Sequence, residues 1–319
     1  MNNYTFDEKM MSRALQLARH GYGFVSPNPM VGAVVTDSHG RIVGEGYHRQ
    51  WGGPHAEVNA IASVSDKSIL PECTVYVTLE PCSHYGKTPP CAKLLTDCNV
   101  RRVVVGCPDP FKEVSGRGIR MLREAGIEVT EDVLRNECEA LNRKFIYAHT
   151  HGRPYVMLKW AQTADGYIGL RESDKNKPLQ ISTPVSRVFM HRIRAGYDAI
   201  LTGTGTIISD NPSLTCRLWP SRRLRPIVLD YHSHIPKEST VLTNPDTIVL
   251  RHPEPLEAML ERLYREYGIT SLLVEGGAQL LNSFLQEGLY QEIRIEKSSQ
   301  LIGTGVPAPR LLDTETITG

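Results

Sequence analysis

Three residues far apart along the chain, His55, Cys82 and Cys91, constrain its fold more than any hydrophobic run does. His55 opens His55-Ala56-Glu57 at the start of a helical pattern. Cys82 follows Pro81 just past a β-branched run that ends at Glu80, and Cys91 begins the segment after the breaker-rich loop Pro81 to Pro90. A soft metal site built from one imidazole and two thiolates needs its donors within a few ångströms of one another. The fold must therefore bring two helix starts and a strand end to one point. Helix N-termini favour anions, which suits a thiolate there. Taken alone, a His-x-Glu is a surface accident in most chains, and it is the two cysteines that turn it into a metal motif. Cys73, Cys98, Cys107, Cys138 and Cys216 read as inert thiols.

Around these points the pattern alternates. Thr5-Phe6-Asp7-Glu8 has the form of a capping box ahead of a helix over Met10 to Ala18. Strands are expected at Val31 to Thr36, Arg41 to Tyr47, Thr74 to Leu79, Arg102 to Val105 and Ile127 to Val129, with helices at His55 to Ser63, Ala92 to Thr96 and Gly118 to Ala125. One charged helix is expected over Glu131 to His149, ending at a junction His151-Gly152-Arg153-Pro154. The second half restarts with strands at Tyr155 to Trp160, Ala199 to Thr202, Pro226 to Asp230, Thr247 to Leu250, Ser271 to Val274 and Leu289 to Glu296. Its helices are expected at Pro184 to Arg194, Pro255 to Tyr267 and Ala278 to Gln286. This is an α/β chain of two domains, 1–150 and 151–319, a size that suits two ordinary cores.

Composition narrows the class. With 36 Lys plus Arg against 35 Asp plus Glu, the formal net charge is +1, so there is no basic excess for a nucleic-acid or membrane-surface binder. No apolar run reaches the roughly 20 residues of a membrane helix. The polar start, with Asp7 and Glu8, is not that of a signal or transit peptide. Seven scattered cysteines without an export signal imply a reducing compartment, and the cytoplasm is the expected location.

One histidine, two cysteines and a nearby glutamate that is not a ligand form the working set of zinc deaminases. A zinc ion lowers the pKa of a bound water to roughly 7, and a carboxylate such as Glu57 then moves protons between that water, a ring nitrogen and a departing amine. General deaminases have two residues between their cysteines, whereas eight intervene here, Ser83 to Pro90. The run Pro81-Cys82-Ser83-His84-Tyr85-Gly86-Lys87-Thr88-Pro89-Pro90-Cys91 contains in full the pattern Pro-Cys-Ser-His-x-Gly-x-Thr-Pro-Pro-Cys. On it the chain resembles the bifunctional deaminase–reductases of riboflavin biosynthesis. Ser26-Pro27-Asn28-Pro29-Met30-Val31-Gly32, Gly44-Glu45-Gly46-Tyr47-His48, Asp109-Pro110 and Ser115-Gly116-Arg117-Gly118 extend the resemblance. It implies that Asn28, His48 and Asp109 face the pyrimidine; Lys87 and Thr88, in the inter-cysteine loop, are in reach of its phosphate or ring, with a solvated lysine the equal alternative. Phe111 stands where the family commonly has asparagine.

In the second half, Val274-Glu275-Gly276-Gly277-Ala278 is a strand, two glycines and a helix start, a form that offers backbone amides to a phosphate. It is not the Gly-x-Gly-x-x-Gly fingerprint. Leu201-Thr202-Gly203-Thr204-Gly205-Thr206 reads as a second glycine-rich turn after a strand. Lys159 with Ala164-Asp165-Gly166, Arg192-Ile193-Arg194-Ala195, Asp210-Asn211-Pro212-Ser213-Leu214-Thr215 and Val274-Glu275-Gly276-Gly277 follow the order of the family's reductase half. That half is similar to dihydrofolate reductase and implies NADPH. The resemblance assigns Thr206, Asp210, Gly276 and Gly277 to the cofactor, and Lys159, Arg194, Leu214, Arg217 and Glu275 to the substrate, arginine being suited to a phosphate. Gln180 replaces a tryptophan common ahead of the Arg194 helix. The family pattern also continues by a strand or more beyond Gly319.

The expectation is thus a cytidine-deaminase-like three-layer domain followed by a dihydrofolate-reductase-like α/β domain. Its cofactors are zinc and NADPH, and its substrate is a free pyrimidine ribosylamine phosphate, handled by a homo-oligomer. Two rivals stand beside it. One is a monofunctional deaminase whose second domain only binds a nucleotide or partner. The other is a nucleic-acid editing enzyme, against which the balanced charge and the long inter-cysteine loop both count.

Overall fold

A computed structural model describes residues 4–84, 89–111, 115–170, 179–221 and 224–311. The chain divides into two compact units, Met1–His151 and Gly152–Gly319.

The first unit is a five-stranded mixed sheet in the order β2-β1-β3-β4-β5. Its strands are β1 (Gly32–Thr36), β2 (Ile42–Tyr47), β3 (Thr74–Leu79), β4 (Arg102–Cys107) and β5 (Glu128–Thr130). β1 pairs antiparallel with β2 and β3, and β3, β4 and β5 run parallel. Side chains alternate across a sheet, so Ala33, Val35, Val75, Val77, Val103 and Val105 face one core. Val34, Tyr76 and Val104 face the other. Burial on both faces explains why the central strands β1, β3 and β4 are largely apolar. The first core is completed by α2 (Ala56–Ser63), α3 (Cys91–Asp97) and α4 (Arg117–Glu124), and the second by α1 (Phe6–Ala18). The capping box at Thr5 is present, with the Glu8 amide donating to Thr5 Oγ1 at 3.3 Å and the Thr5 amide to Glu8 at 2.7 Å.

The single helix expected over Glu131 to His149 is two, α5 (Arg135–Leu141) and α6 (Arg143–His151). Left-handed backbone at Asp132 and Leu134 delays the start. The break falls at Asn142, whose buried side chain is committed elsewhere: its Oδ1 accepts from the Met30 amide at 2.8 Å and its Nδ2 donates to the Met30 carbonyl at 2.9 Å.

The second unit is a six-stranded parallel sheet in the order β10-β9-β8-β11-β6-β12. The strands are β6 (Tyr155–Gln162), β8 (Ala199–Gly203), β9 (Arg225–Leu229), β10 (Ile248–Leu250), β11 (Ser271–Val274) and β12 (Glu292–Lys297). β7 (Tyr167–Gly169) and β13 (Val306–Pro307) form a separate antiparallel pair. One face of the main sheet packs Val156, Leu158, Leu201, Ile227, Leu272 and Val274 against α9 (Leu256–Tyr267) and α10 (Ala278–Glu287). α7 (Pro184–Ala195) is capped by Thr183, which accepts from the Ser186 amide. The stretch expected as a glycine-rich turn is only in part a turn. Gly203 is the N-cap of a helix, α8 (Thr204–Asp210), anchored where Thr204 Oγ1 donates to the Leu229 carbonyl at 2.6 Å. Among the described residues no helix is long and apolar enough to cross a membrane.

Candidate active sites

In the first unit the ligating atoms of His55, Cys82 and Cys91 lie within 4.8 Å of one another. His55 is the N-cap of α2 and spends no side-chain bond on capping, so its ring is available. Its Nδ1 stands 3.6 Å from Cys82 Sγ and 3.3 Å from Cys91 Sγ. Cys91 opens α3, and its amide donates to Cys82 Sγ at 3.2 Å. The bond to the Cys91 thiol, together with His55, holds Cys82 well below an ordinary thiol, at about 4, and the Cys91 thiol is pushed up in turn. A soft imidazole and two sulfurs with no fourth protein donor among the described residues suit a zinc ion with an open position.

α2 reaches this point because β2 is smooth beneath it. A Cβ on Gly46 would collide with the Ala60 amide, so only glycine lets helix and strand approach this closely. Glu57, in the first turn of α2, is 3% exposed, and burial pushes its carboxyl above the ordinary range against the pull of His55. His48, past the end of β2, is also buried. Its ring nitrogens meet the Pro54 carbonyl at 3.0 Å (Nδ1) and Asn28 Nδ2 at 3.3 Å (Nε2). The network assigns the proton to Nδ1, and burial holds the imidazole pKa below its usual value. Asn28 and His48 are thus brought together beside His55, whose ring centroid lies 5.6 Å from that of His48.

Two residues that sequence reasoning passed over build the surroundings. The buried Glu80 carboxylate accepts from the amides of Asp109 (3.3 Å), Gly116 (3.0 Å), Gly118 (3.0 Å) and Ile119 (3.4 Å), which fixes the loop that carries Asp109. Glycine is required at 118, where a Cβ would strike the Pro81 carbonyl oxygen. Burial raises the Asp109 carboxyl, whose Oδ1 accepts from the Phe111 amide at 2.9 Å. The Phe111 ring packs edge-on to His149 at 5.4 Å. The second residue is Asn142, whose paired bonds to Met30 hold the segment bearing Asn28. Asn142→Ala should destabilise the unit by about 1–3 kcal/mol, because both Met30 groups lose a buried partner. Denaturant unfolding should show the loss, and deamination should weaken with it. An unchanged midpoint would mean that the Met30 bonds are dispensable. Lys87 and Thr88 lie outside the described residues.

In the second unit a cavity of about 1050 Å³ opens at the carboxyl ends of the parallel strands, where ligands of such sheets bind. It is lined by Lys159 from β6, Thr206 and Asp210 from α8, Glu275, Gly276 and Gly277 after β11, and Arg194 and Leu214. Gln180 lines it as well, where the family pattern would offer an indole. Arg194 is not a free phosphate fork. Its Nε and Nη2 donate to the two Glu275 oxygens at 3.0 and 2.6 Å, and Nη1 donates to the Thr215 carbonyl at 3.2 Å. Burial pushes Glu275 up, but the charge and hydrogen bonds of Arg194, together with the charges of Lys159 and His191, more than offset it and hold the carboxyl below its ordinary range. Leu214 holds a left-handed φ of 49°, uncommon for a bulky side chain. Arg217 is not among the cavity-lining residues. It is exposed, donates to Ser213 Oγ at 2.9 Å, and borders a second hollow with Trp219 and Pro220. Arg187, unremarked in the sequence, does line the main cavity. The signal was its spacing, since residues seven apart on a helix share a face, and Arg187 and Arg194 are so related on α7. The amides at the start of α10 have no side-chain cap at Gly277, and such a terminus suits a dinucleotide's phosphates.

Comparison with known proteins agrees with this geometry. Residues 4–107 match the cytidine and deoxycytidylate deaminase zinc-binding region, and residues 154–318 match the RibD C-terminal domain. The riboflavin biosynthesis protein RibD of Bacillus amyloliquefaciens is 39% identical over 97% of this chain and 88% of its own length. That of Aquifex aeolicus is 39% identical over 94% and 89%. Among solved structures, Acinetobacter baumannii RibD superposes with a TM-score of 0.88 at 33% identity, covering 98% of this chain and 92% of that one. A Thermotoga maritima diaminohydroxyphosphoribosylaminopyrimidine deaminase/5-amino-6-(5-phosphoribosylamino)uracil reductase superposes with a TM-score of 0.85 at 38% identity, covering 95% and 89%. With a zinc-binding deaminase region and a reductase domain joined in this order along nearly the whole chain, the protein belongs to the RibD family of bifunctional deaminase–reductases of riboflavin biosynthesis.

Proposed function

We propose that the first unit removes the 2-amino group of 2,5-diamino-6-ribosylamino-4(3H)-pyrimidinone 5′-phosphate by hydrolysis, and that the second reduces the ribosyl group of the product to ribityl with NADPH. The observation that carries the reading is the convergence of His55, Cys82 and Cys91 beside a buried Glu57 in a chain whose other unit opens a dinucleotide-sized cavity. Zinc, held by those three residues, supplies Lewis-acid activation of water. Glu57 takes the proton released from water and returns protons to the ring nitrogen and the leaving amine, so that ammonia departs and a carbonyl replaces it. Asn28, His48 and Asp109 orient the pyrimidine.

In the second unit NADPH, when bound, would supply the hydride that C1′ gains as the C1′–O4′ ring bond opens and O4′ takes a proton, and the protein contributes orientation and dry surroundings. Thr206, Asp210, Gly276 and Gly277 bind the cofactor. Lys159, Leu214 and Glu275 meet the substrate, with Arg194 fixing Glu275 and keeping two further N–H donors for a phosphate. Arg217 contributes from the rim. The same reading makes the protein a cytoplasmic homo-oligomer acting on a free small molecule rather than a nucleic acid, consistent with the net charge of +1.

Gly277→Asp tests the cofactor assignment. A Cβ there meets nothing closer than Thr206 Oγ1 at 3.9 Å, so the variant should fold normally. Its carboxylate would stand where phosphates approach, and NADPH affinity should fall by about tenfold or more, since one unfavourable charge contact of about 1.4 kcal/mol gives that factor. Calorimetric titration decides it. Equal affinity in variant and parent would remove the cofactor from this turn, and NADPH binding without oxidation on the deaminated substrate would favour a monofunctional deaminase.

A further inference from the structure

Thr202, at the carboxyl end of β8, is fully buried, and its hydroxyl has no hydrogen-bond partner among the described residues. Such groups are rare in folded proteins, because a buried unpaired hydroxyl is destabilising and buried polar atoms are almost always bonded. The place of this one is informative. β8 lies beside β11, with Leu201 in register with Val274, so Thr202 sits next to the point where β11 gives way to Glu275, Gly276 and Gly277. A Cβ built on Gly276 would lie 3.6 Å from Thr202 Oγ1. Gly276 and Gly277 line the cavity, Thr202 lies behind them, and the helix that follows, α10, begins without a side-chain cap. An unpaired hydroxyl thus underlies an uncapped helix start on the wall of a ligand-sized cavity.

We propose that Thr202 is a positioning residue for the dinucleotide: its hydroxyl is unpaired in the free protein and bonds to the backbone of the Gly276–Gly277 turn once cofactor phosphates seat there. Glycines at both positions leave the turn room to shift by the small amount this needs. Binding then gains a hydrogen bond and relieves an unpaired group in one movement. The inference rests on the cofactor reading of this cavity.

Two variants test it by crossing two measurements, the thermal midpoint of the ligand-free protein and NADPH affinity by calorimetry. Thr202→Val keeps the shape and removes the hydroxyl. Its free form should melt about 2–4 °C higher, because an unsatisfied group has gone, while its NADPH dissociation constant should rise about tenfold. Thr202→Ser keeps the hydroxyl and loses a methyl group. It should melt lower than the parent, yet bind NADPH within about threefold of it. Stability and affinity would therefore rank the variants in opposite orders, which a purely structural role cannot produce. If Thr202→Val binds NADPH as tightly as the parent, or lowers the midpoint of the free protein, the proposal is overturned. If the parent itself fails to bind NADPH, the cofactor reading falls, and this inference falls with it.

Discussion

Glu57→Gln should retain its metal and lose deamination by about two to four orders of magnitude, the usual worth of a positioned acid–base group. Glutamine has nearly the same shape and fills the same buried space at the start of α2, where Glu57 is 3% exposed. The three donors that converge on one point are His55, Cys82 and Cys91, and Glu57 is not among them, so no donor is removed, and the Glu57 bond to the Cys91 thiol is one that the glutamine amide can also make. What is lost is the capacity to accept a proton and release it again. Metal analysis of the purified variant, set against ammonia release from the pyrimidine substrate, separates the roles. A variant that emerges without metal would make Glu57 a ligand. One that turns over at the parental rate would make it a bystander.

Cys82→Ser should have an effect at least as large on the same reaction, by a different route. A hydroxyl is a poor donor in a site otherwise built of sulfur and imidazole, and Cys82 also receives the Cys91 amide that opens α3. Zinc content should fall towards zero, and deamination with it. Reduction of supplied deaminated substrate should stay within about twofold of the parent, because perturbations at sites that share no partners act separately. The residues assigned to reduction all lie in Gly152–Gly319, which has its own sheet and core. Joint loss of both activities in a variant that remains folded would contradict two separable modules.

What the sequence disclosed follows physical lines. Strands buried on both faces, such as Thr74–Leu79 and Ser271–Val274, were legible because they are rich in β-branched and aliphatic residues and carry no charge. The metal set was legible because thiolate and imidazole are rare donors and their spacing is unusual. The bent end of the first unit was not. Asn142 resembles any polar helical residue until its two bonds to Met30, distant in sequence, are seen. Glu80 was hidden for a related reason, since a carboxylate at a strand end ordinarily faces water, and its partners are backbone amides that leave no mark in the sequence. The Arg194–Glu275 pair was missed because each residue was read separately as a ligand contact, and only the fold sets them 2.6 Å apart.

The Glu80 carboxylate also acts on chain entropy. A surface loop that must order around its ligand charges that ordering against affinity, and the penalty of joining loop ends grows slowly with their separation. By gathering the amides of Asp109, Gly116, Gly118 and Ile119 onto one anion, the protein incurs that penalty while it folds. The ends of this loop are drawn together before any ligand arrives, as a crosslink would hold them, but through a joint made only of hydrogen bonds.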